Sequence, residues 1–382
     1  MVLIVTQSKD SFQITKDGVD FKAKDEVLTI LKNVIVESVD LAGVVSAFSD
    51  SDLINQGIVI SIKNSAAYFL GADAAMTNGI TGLIRGYHDG IDLNGAGIQS
   101  VFNDGKILGK TNDGVFVDSF AQGVQLNNNH GQIVGRFAGI LNSSFHSGGK
   151  FHNSGLIKGH DAGIYLSTGG QKTTITNEAG GVIQGADAIY IFTGKVHLTN
   201  DGTMIGNIVD TFNEHNVIIN HGNIKGLVQF GGGNDVFNGT GGTSGKIGCG
   251  SGDDRVIGGM GKVVIDVGTG NNTLTAGPGA DRFAFDSALG SQVDTITNFK
   301  PGADKIVLKA TDFMGIGLID GTLVTADFHL NAPVGGGPQI VYTRSDGFLY
   351  YDENGGALTG AKHFATLASH PIIHHTDFLV VA

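Results

Sequence analysis

Short apolar runs separated by Gly, Asn and Asp recur along most of this chain, and none carries a helix-length apolar stripe. From Leu53 onward the runs follow the form N-x-G-x-I-x-G, as in TNGITGLIRG (77–86), FNDGKILGK (102–110), NNHGQIVGR (128–136), HNSGLIKGH (152–160) and TNDGTMIGN (199–207). The leading asparagines are Asn55, Asn78, Asn103, Asn129, Asn153, Asn177, Asn200 and Asn220, spaced 20 to 26 residues apart and mostly 23 to 25. A period near 24 with strand-length apolar runs predicts a three-sided right-handed parallel β-helix of about seven coils over 53–229. Asn suits its turns because it tolerates the left-handed region and hydrogen-bonds neighbouring backbone.

From Phe230 the period shortens to nine: FGGGNDVFN (230–238), TGGTSGKIG (240–248), CGSGDDRVI (249–257), GGMGKVVID (258–266), VGTGNNTLT (267–275) and AGPGADRFA (276–284), with Gly239 outside the count. The eighth position is always apolar (Phe237, Ile247, Val256, Ile265, Leu274, Phe283), which predicts stacked strands sharing one core. The sixth position reads Asp235, Gly245, Asp254, Val263, Asn272, Asp281.

These units resemble the Ca²⁺-binding parallel β-roll of the RTX (hemolysin-type) proteins, whose motif is G-G-x-G-x-D-x-U-x. The resemblance implies two nonapeptides per coil, so that Asp235, Asp254 and Asn272 share one edge and Gly245, Val263 and Asp281 the other. It implies Ca²⁺ as the cofactor, held on the first edge by Gly231, Gly233 and Asp235, Gly250, Gly252 and Asp254, and Gly268, Gly270 and Asn272. The better site is expected between the turns of Asp235 and Asp254, and a weaker one between those of Asp254 and Asn272, where one charge is lost. Val263 offers no oxygen and Lys262 adds a positive charge, so no such site is expected on the second edge.

The expected organisation is an N-terminal cap (1–52), the β-helix (53–229), the roll (230–284) and a C-terminal cap (285–382). Within the last, Asp294, Ile296, Phe299, Gly302, Asp304, Lys305 and Ile306 resemble the closing stretch of serralysin-type RTX modules, although Asn298 stands where the family prefers Asp. The closing DFLVV (377–381) resembles a type I secretion signal. MVLIVTQSKD offers too short an apolar run for a secretory leader, and no run approaches a membrane span. Export without an N-terminal signal, to an extracellular or cell-surface location, is therefore the expectation.

A formal charge of −12 argues against nucleic acid and suits a divalent cation. Cys249 is the only cysteine, so no internal disulfide can form. Aligning the helix coils on a recurrent small-apolar pair (Gly90-Ile91, Gly114-Val115, Gly139-Ile140) gathers Tyr87, His88, Asp89, Asp113, Arg136 and His160 into one patch. Such a mix could abstract a proton from a uronic acid, as a polysaccharide lyase or C5-epimerase does, whereas Asp before Gly is also ordinary turn chemistry. The same alignment sends Asp92, Phe116, Leu141, Tyr165 and Tyr190 outward as a column suited to a glycan, or to burial by the chain or by a second copy. The expected function is a secreted, Ca²⁺-dependent surface, matrix or adhesion-type binding protein with polysaccharide or cell-surface glycan as partner; lyase or epimerase activity on the helix face is the alternative.

Overall fold

The structure is a computed structural model that describes residues 2–5, 12–13, 19–20, 25, 27–118, 120–146, 148–319 and 321–382. Apart from the strand Val2–Val5, the stretch MVLIVTQSKD lies outside them. The fold is all-β, with parallel β-solenoid turns numbering about 12 in all and almost no helix. It divides into two compact units, Met1–Phe212 with Gly222–Gly226, and Asn213–His221 with Leu227–Ala382.

Each coil of the first unit contributes a strand to three faces. The first face stacks Val27–Ile30, Asp52–Asn55, Ala75–Asn78, Ile98–Asn103, Gly123–Asn128 and Gly149–Asn153 in parallel. The second stacks Ile35–Ser38, Ile58–Ser61, Leu83–Gly86, Lys106–Gly109, Gln132–Val134 and Leu156–Lys158. The third stacks Val44–Ser46, Ala67–Phe69, Ile91–Leu93, Val115–Val117 and Ala138–Asn142. Later coils run their strands together into Ala162–Asn177 and Val182–Asn200, each of which serves more than one face.

Alternation along each strand decides what faces inward. On the second face Val36, Val59, Ile84, Ile107, Ile133, Ile157 and Ile183 lie opposite one another in register, all buried. Burying such a side chain contributes about 2–3 kcal/mol.

A second inward column is polar. The Asn55 amide donates to Asn78, and the chain of amides continues through Asn103, Asn128, Asn153 and Asn177 to Asn200, each step 2.7–2.8 Å. The rung at the fourth position is Asn128 rather than Asn129, which is exposed and donates to Asp104 at 2.9 Å. A one-residue shift moves a strand side chain to the opposite face, so only one of the two can lie inside. The pairing also reaches back before Leu53, because Val27–Ile30 lies on Asp52–Asn55 and Val2–Val5 lies on Val27–Ile30. The stretch read as a cap supplies coils of its own, with Ile30 opposite Asn55.

The second unit has two parallel sheets. One stacks Val236–Asn238, Arg255–Ile257, Thr273–Thr275 and Asp294–Thr297. The other stacks Ile247–Gly248, Val264–Asp266, Arg282–Phe285 and Lys305–Lys309. The eighth-position residues are all buried and form two columns, one per sheet, rather than one. Winding continues past residue 284, with Ile296 extending the first column and Ile306 the second.

Lys362–Leu367 and Phe378–Val381 add the last strand to each sheet. Gln339–Thr343 and Phe348–Asp352 pair antiparallel beside them. The residues read as an export signal therefore form the final strand. Asp377 anchors it, buried and accepting from the Gly302 N–H at 2.7 Å and the His374 N–H at 2.8 Å.

Candidate functional site

The glycines of the nonapeptide turns have a visible reason. Gly233, Gly250, Gly252, Gly268 and Gly270 all have positive φ. A Cβ on Gly250 would fall on the Gly231 carbonyl oxygen, and one on Gly252 on that of Gly233; Gly268 and Gly270 meet Gly250 and Gly252 in the same way. Successive turns thus stack carbonyl over glycine, which no side chain allows.

On the first edge this stacking holds a ladder of carboxyl and amide groups. The Asp235 carboxylate accepts from the Asn216 N–H (2.6 Å), Asp254 from the Asp235 N–H (2.7 Å), Asn272 from the Asp254 N–H (2.8 Å) and Asp294 from the Asn272 N–H (2.9 Å). All five side chains are buried. One oxygen of Asp254 makes the ladder bond, and the other is buried with no hydrogen-bond donor. Burial pushes Asp254 up to about 7, with Asp253 and Asp294 adding to the shift, while its bond from Asp235 opposes it. Burial likewise pushes Asp294 up to about 7 against two bonds from Asn272.

The Asn272 amide is engaged at both ends, since its nitrogen donates to the Val267 carbonyl and to Asp294, each at 2.8 Å. Asn216 and Asp294 complete the edge, and counting nonapeptides misses both. Their signal is the local Asp/Asn-x-apolar pattern: Asn216-Val217-Ile218 and Asp294-Thr295-Ile296 repeat Asp254-Arg255-Val256 with longer connections between.

The second edge differs at every carboxylate. Asp281 accepts from the Val263 N–H (3.0 Å) with one oxygen and from the Gly277 N–H (2.8 Å) with the other. Asp304 accepts from the N–H groups of Asp281 (2.9 Å) and Lys300 (2.8 Å). Burial raises Asp281 while Lys300 pulls it back. Gly245 and Val263 supply no side-chain oxygen.

The donor set on the first edge suits a hard cation: charged oxygens, buried, one without a donor, beside turns whose carbonyls stack. Among the described residues no three His, Cys, Asp or Glu side chains converge on a metal position, so backbone carbonyls would have to complete any shell. Cys249 is buried nearby, and burial followed by the surrounding carboxylates keeps its thiol protonated.

The structure stacks the residues of the helix patch on neighbouring coils, where the Asn112, Arg136 and His160 N–H groups donate in turn to the His88, Asn112 and Arg136 carbonyls, but their side chains part. Asp89 turns inward, accepting from Ser65 Oγ (3.1 Å) and from the Asp113 N–H (2.9 Å), and Asp113 accepts from the Ala138 N–H (2.8 Å). Both are buried, Asp113 is pushed up to about 7 chiefly by that burial, and both act as inter-coil acceptors rather than as surface acid or base. Tyr87 packs edge-on against His88, with ring centroids 5.4 Å apart, and Lys110 Nζ lies 5.0 Å above the Tyr87 ring. His160 pairs instead with Asp161 at 2.7 Å, and Arg136 is exposed.

The outward column is present in register: Tyr68, Asp92, Phe116, Leu141, Tyr165 and Tyr190 lie opposite one another, each half-buried. Tyr165 and Tyr190 stack with centroids 5.2 Å apart. Fold and site together define a parallel β-solenoid with a carboxylate-lined edge. The sequence matches no protein-family model and no characterised protein. Among the described residues no helix is long and apolar enough to cross a membrane.

Proposed function

We propose that this chain is a secreted, RTX-type, Ca²⁺-dependent binding protein of the surface, matrix or adhesion kind. One observation carries the cation reading: the Asp254 carboxylate is buried in a ladder with one oxygen lacking any donor. A carboxylate so placed destabilises the fold when ionised and becomes favourable when a cation neutralises it. Asp235, Asp254 and Asp294 would supply charge, and the turns of Gly231, Gly233, Gly250 and Gly252 would supply carbonyls. The bound ion brings positive charge to the edge, and its binding free energy becomes folding free energy. Extracellular modules of this kind bind Ca²⁺ at about 10⁻⁴–10⁻³ M, which couples folding to arrival outside the cell.

Binding rather than catalysis follows from the helix corner, where the two acids of the patch are already spent on backbone N–H groups. The test is thermal unfolding of the full chain across a Ca²⁺ titration, with Asp254→Asn beside it. The Asn variant keeps the ladder acceptor and removes the charge. The wild type should gain stability over submillimolar to millimolar Ca²⁺, and Asp254→Asn should gain markedly less. Equal stability in chelator and in 10-fold excess over that range (~10 mM) would overturn the proposal.

A further inference from the structure

The second face of the first unit segregates its charges. From Ile58–Ser61 through Leu156–Lys158 its strands carry no acidic residue, in a chain with 36 acidic and 24 basic residues. Along the same stretch Arg85, Lys106 and Lys158 stand on the strands, with Lys110 and Arg136 just beyond them, and all five are exposed. Among the described residues none of the five has an ion-pair partner, whereas Lys63, Lys246 and Lys362 are paired with Asp40, Asp266 and Glu353 at 2.5, 2.7 and 3.0 Å.

A groove of about 510 Å³ crosses four of these coils. Its floor is the outward row Ile60, Leu108 and Val134, which register places opposite one another with Arg85 among them. Lys110 and the ring of Tyr87 form part of its wall, Tyr87 being 38% exposed. Strands in parallel register are about 4.8 Å apart, so the run of cations from the coil of Arg85 to that of Lys158 spans roughly 15 Å.

We infer that this groove binds an extended acidic oligosaccharide carrying carboxylates, such as a chain of uronate sugars. Sugar rings present apolar faces to Ile60, Leu108 and Val134 while their carboxylates meet Arg85 and Lys110. The planar guanidinium of Arg85 can take a carboxylate through two parallel N–H···O bonds. A polynucleotide is the poorer fit, because it asks for denser cationic cover than five side chains on an acidic protein. The inference rests on the reading of the helix as a binding surface, but not on the cation.

The experiment is calorimetric titration of the full chain with hexagalacturonate, in Ca²⁺ and again in chelator, with secondary structure followed by circular dichroism. Comparison ligands are the methyl-esterified hexamer and a single-stranded DNA hexamer. Arg85→Gln and Lys110→Gln should each weaken binding roughly tenfold, the equivalent of one charge-assisted contact. Lys32→Gln, which removes the same charge from an exposed site elsewhere in the unit, should leave it within about twofold. The ester should bind far more weakly than the acid.

No binding at millimolar hexamer, equal binding of the ester or the DNA, or an equal loss in Lys32→Gln would each overturn the inference. Binding that persists in chelator while the roll proves insensitive to Ca²⁺ would sink the cation reading and leave the groove standing. The converse result would remove the groove alone.

Discussion

Asp254 and Asp281 hold the same position in the nine-residue repeat, and both are buried. Asp281 finds a backbone N–H for each oxygen and Lys300 near enough to offset part of its burial. Asp254 finds one N–H, with Asp253 and Asp294 adding to the effect of its burial. One motif position can thus be finished by the chain itself or left to be finished from outside. The difference lies within the turn: the Gly277 N–H, four residues before Asp281, reaches its second oxygen, whereas the second oxygen of Asp254 receives no donor.

The sharpest way to break the comparison is at the turns. Gly252→Ala sets a Cβ on the Gly233 carbonyl at a residue with φ 120°, and should abolish cooperative folding of its unit in Ca²⁺ and in chelator alike. Gly241→Ala, on the second edge, also has positive φ (88°) but nothing within 4 Å, so it should cost only about 1–2 kcal/mol. Denaturant unfolding of the two variants measures the contrast, and equal losses would mean that the turns do not stack as described.

Next in size is Asp281→Ala, which strands two N–H groups. A loss of about 2–5 kcal/mol, unchanged by Ca²⁺, is expected in denaturant unfolding; a loss that Ca²⁺ reverses would give this edge the role assigned to the other.

The smallest effect is with pH. Asp254 and Asp294 titrate near 7 when folded, well above an ordinary unfolded Asp. Between about 4 and 7 the folded state therefore holds more protons, so in chelator stability should rise as pH falls through 7 and level off near 4. Asp113 and Asp92, also pushed up to about 7 by burial, contribute to the same trend. The share of Asp254 is isolated by Asp254→Asn, which should remove part of the acid gain. With Ca²⁺ bound the carboxylates stay ionised and the gain should shrink. A wild-type melting temperature that falls from pH 8 to 5.5 in chelator would contradict this.

Apolar columns were legible because alternation and period act on the same residues: every eighth-position side chain from Phe237 to Phe283 is buried. Polar rungs were legible only where the rung residue recurs. Ile30 fills the place of an asparagine opposite Asn55, so the early coils carry no motif although their pairing is the same. In the run Asn127-Asn128-Asn129 composition cannot say which member points inward; the strand phase does. Asp294 and Asp304 sit on coils of 22 and 23 residues where the preceding repeats take 18, and a fixed count passes over them. The inward turn of Asp89 and Asp113 was hidden for another reason, since Asp before Gly reads alike whether its carboxylate faces water or the next coil.

The asparagine column also has a mechanical meaning. Its amides all donate in the same chain direction, one rung per coil, beside the parallel strand pairing that joins each coil to the next. A pull on one end of the first unit therefore loads the rungs one after another, like the teeth of a zip. Each coil of roughly 24 residues that peels away releases about 80 Å of slack. A tether built this way lengthens in instalments, absorbing work at every step while the coils still wound keep their outer faces intact.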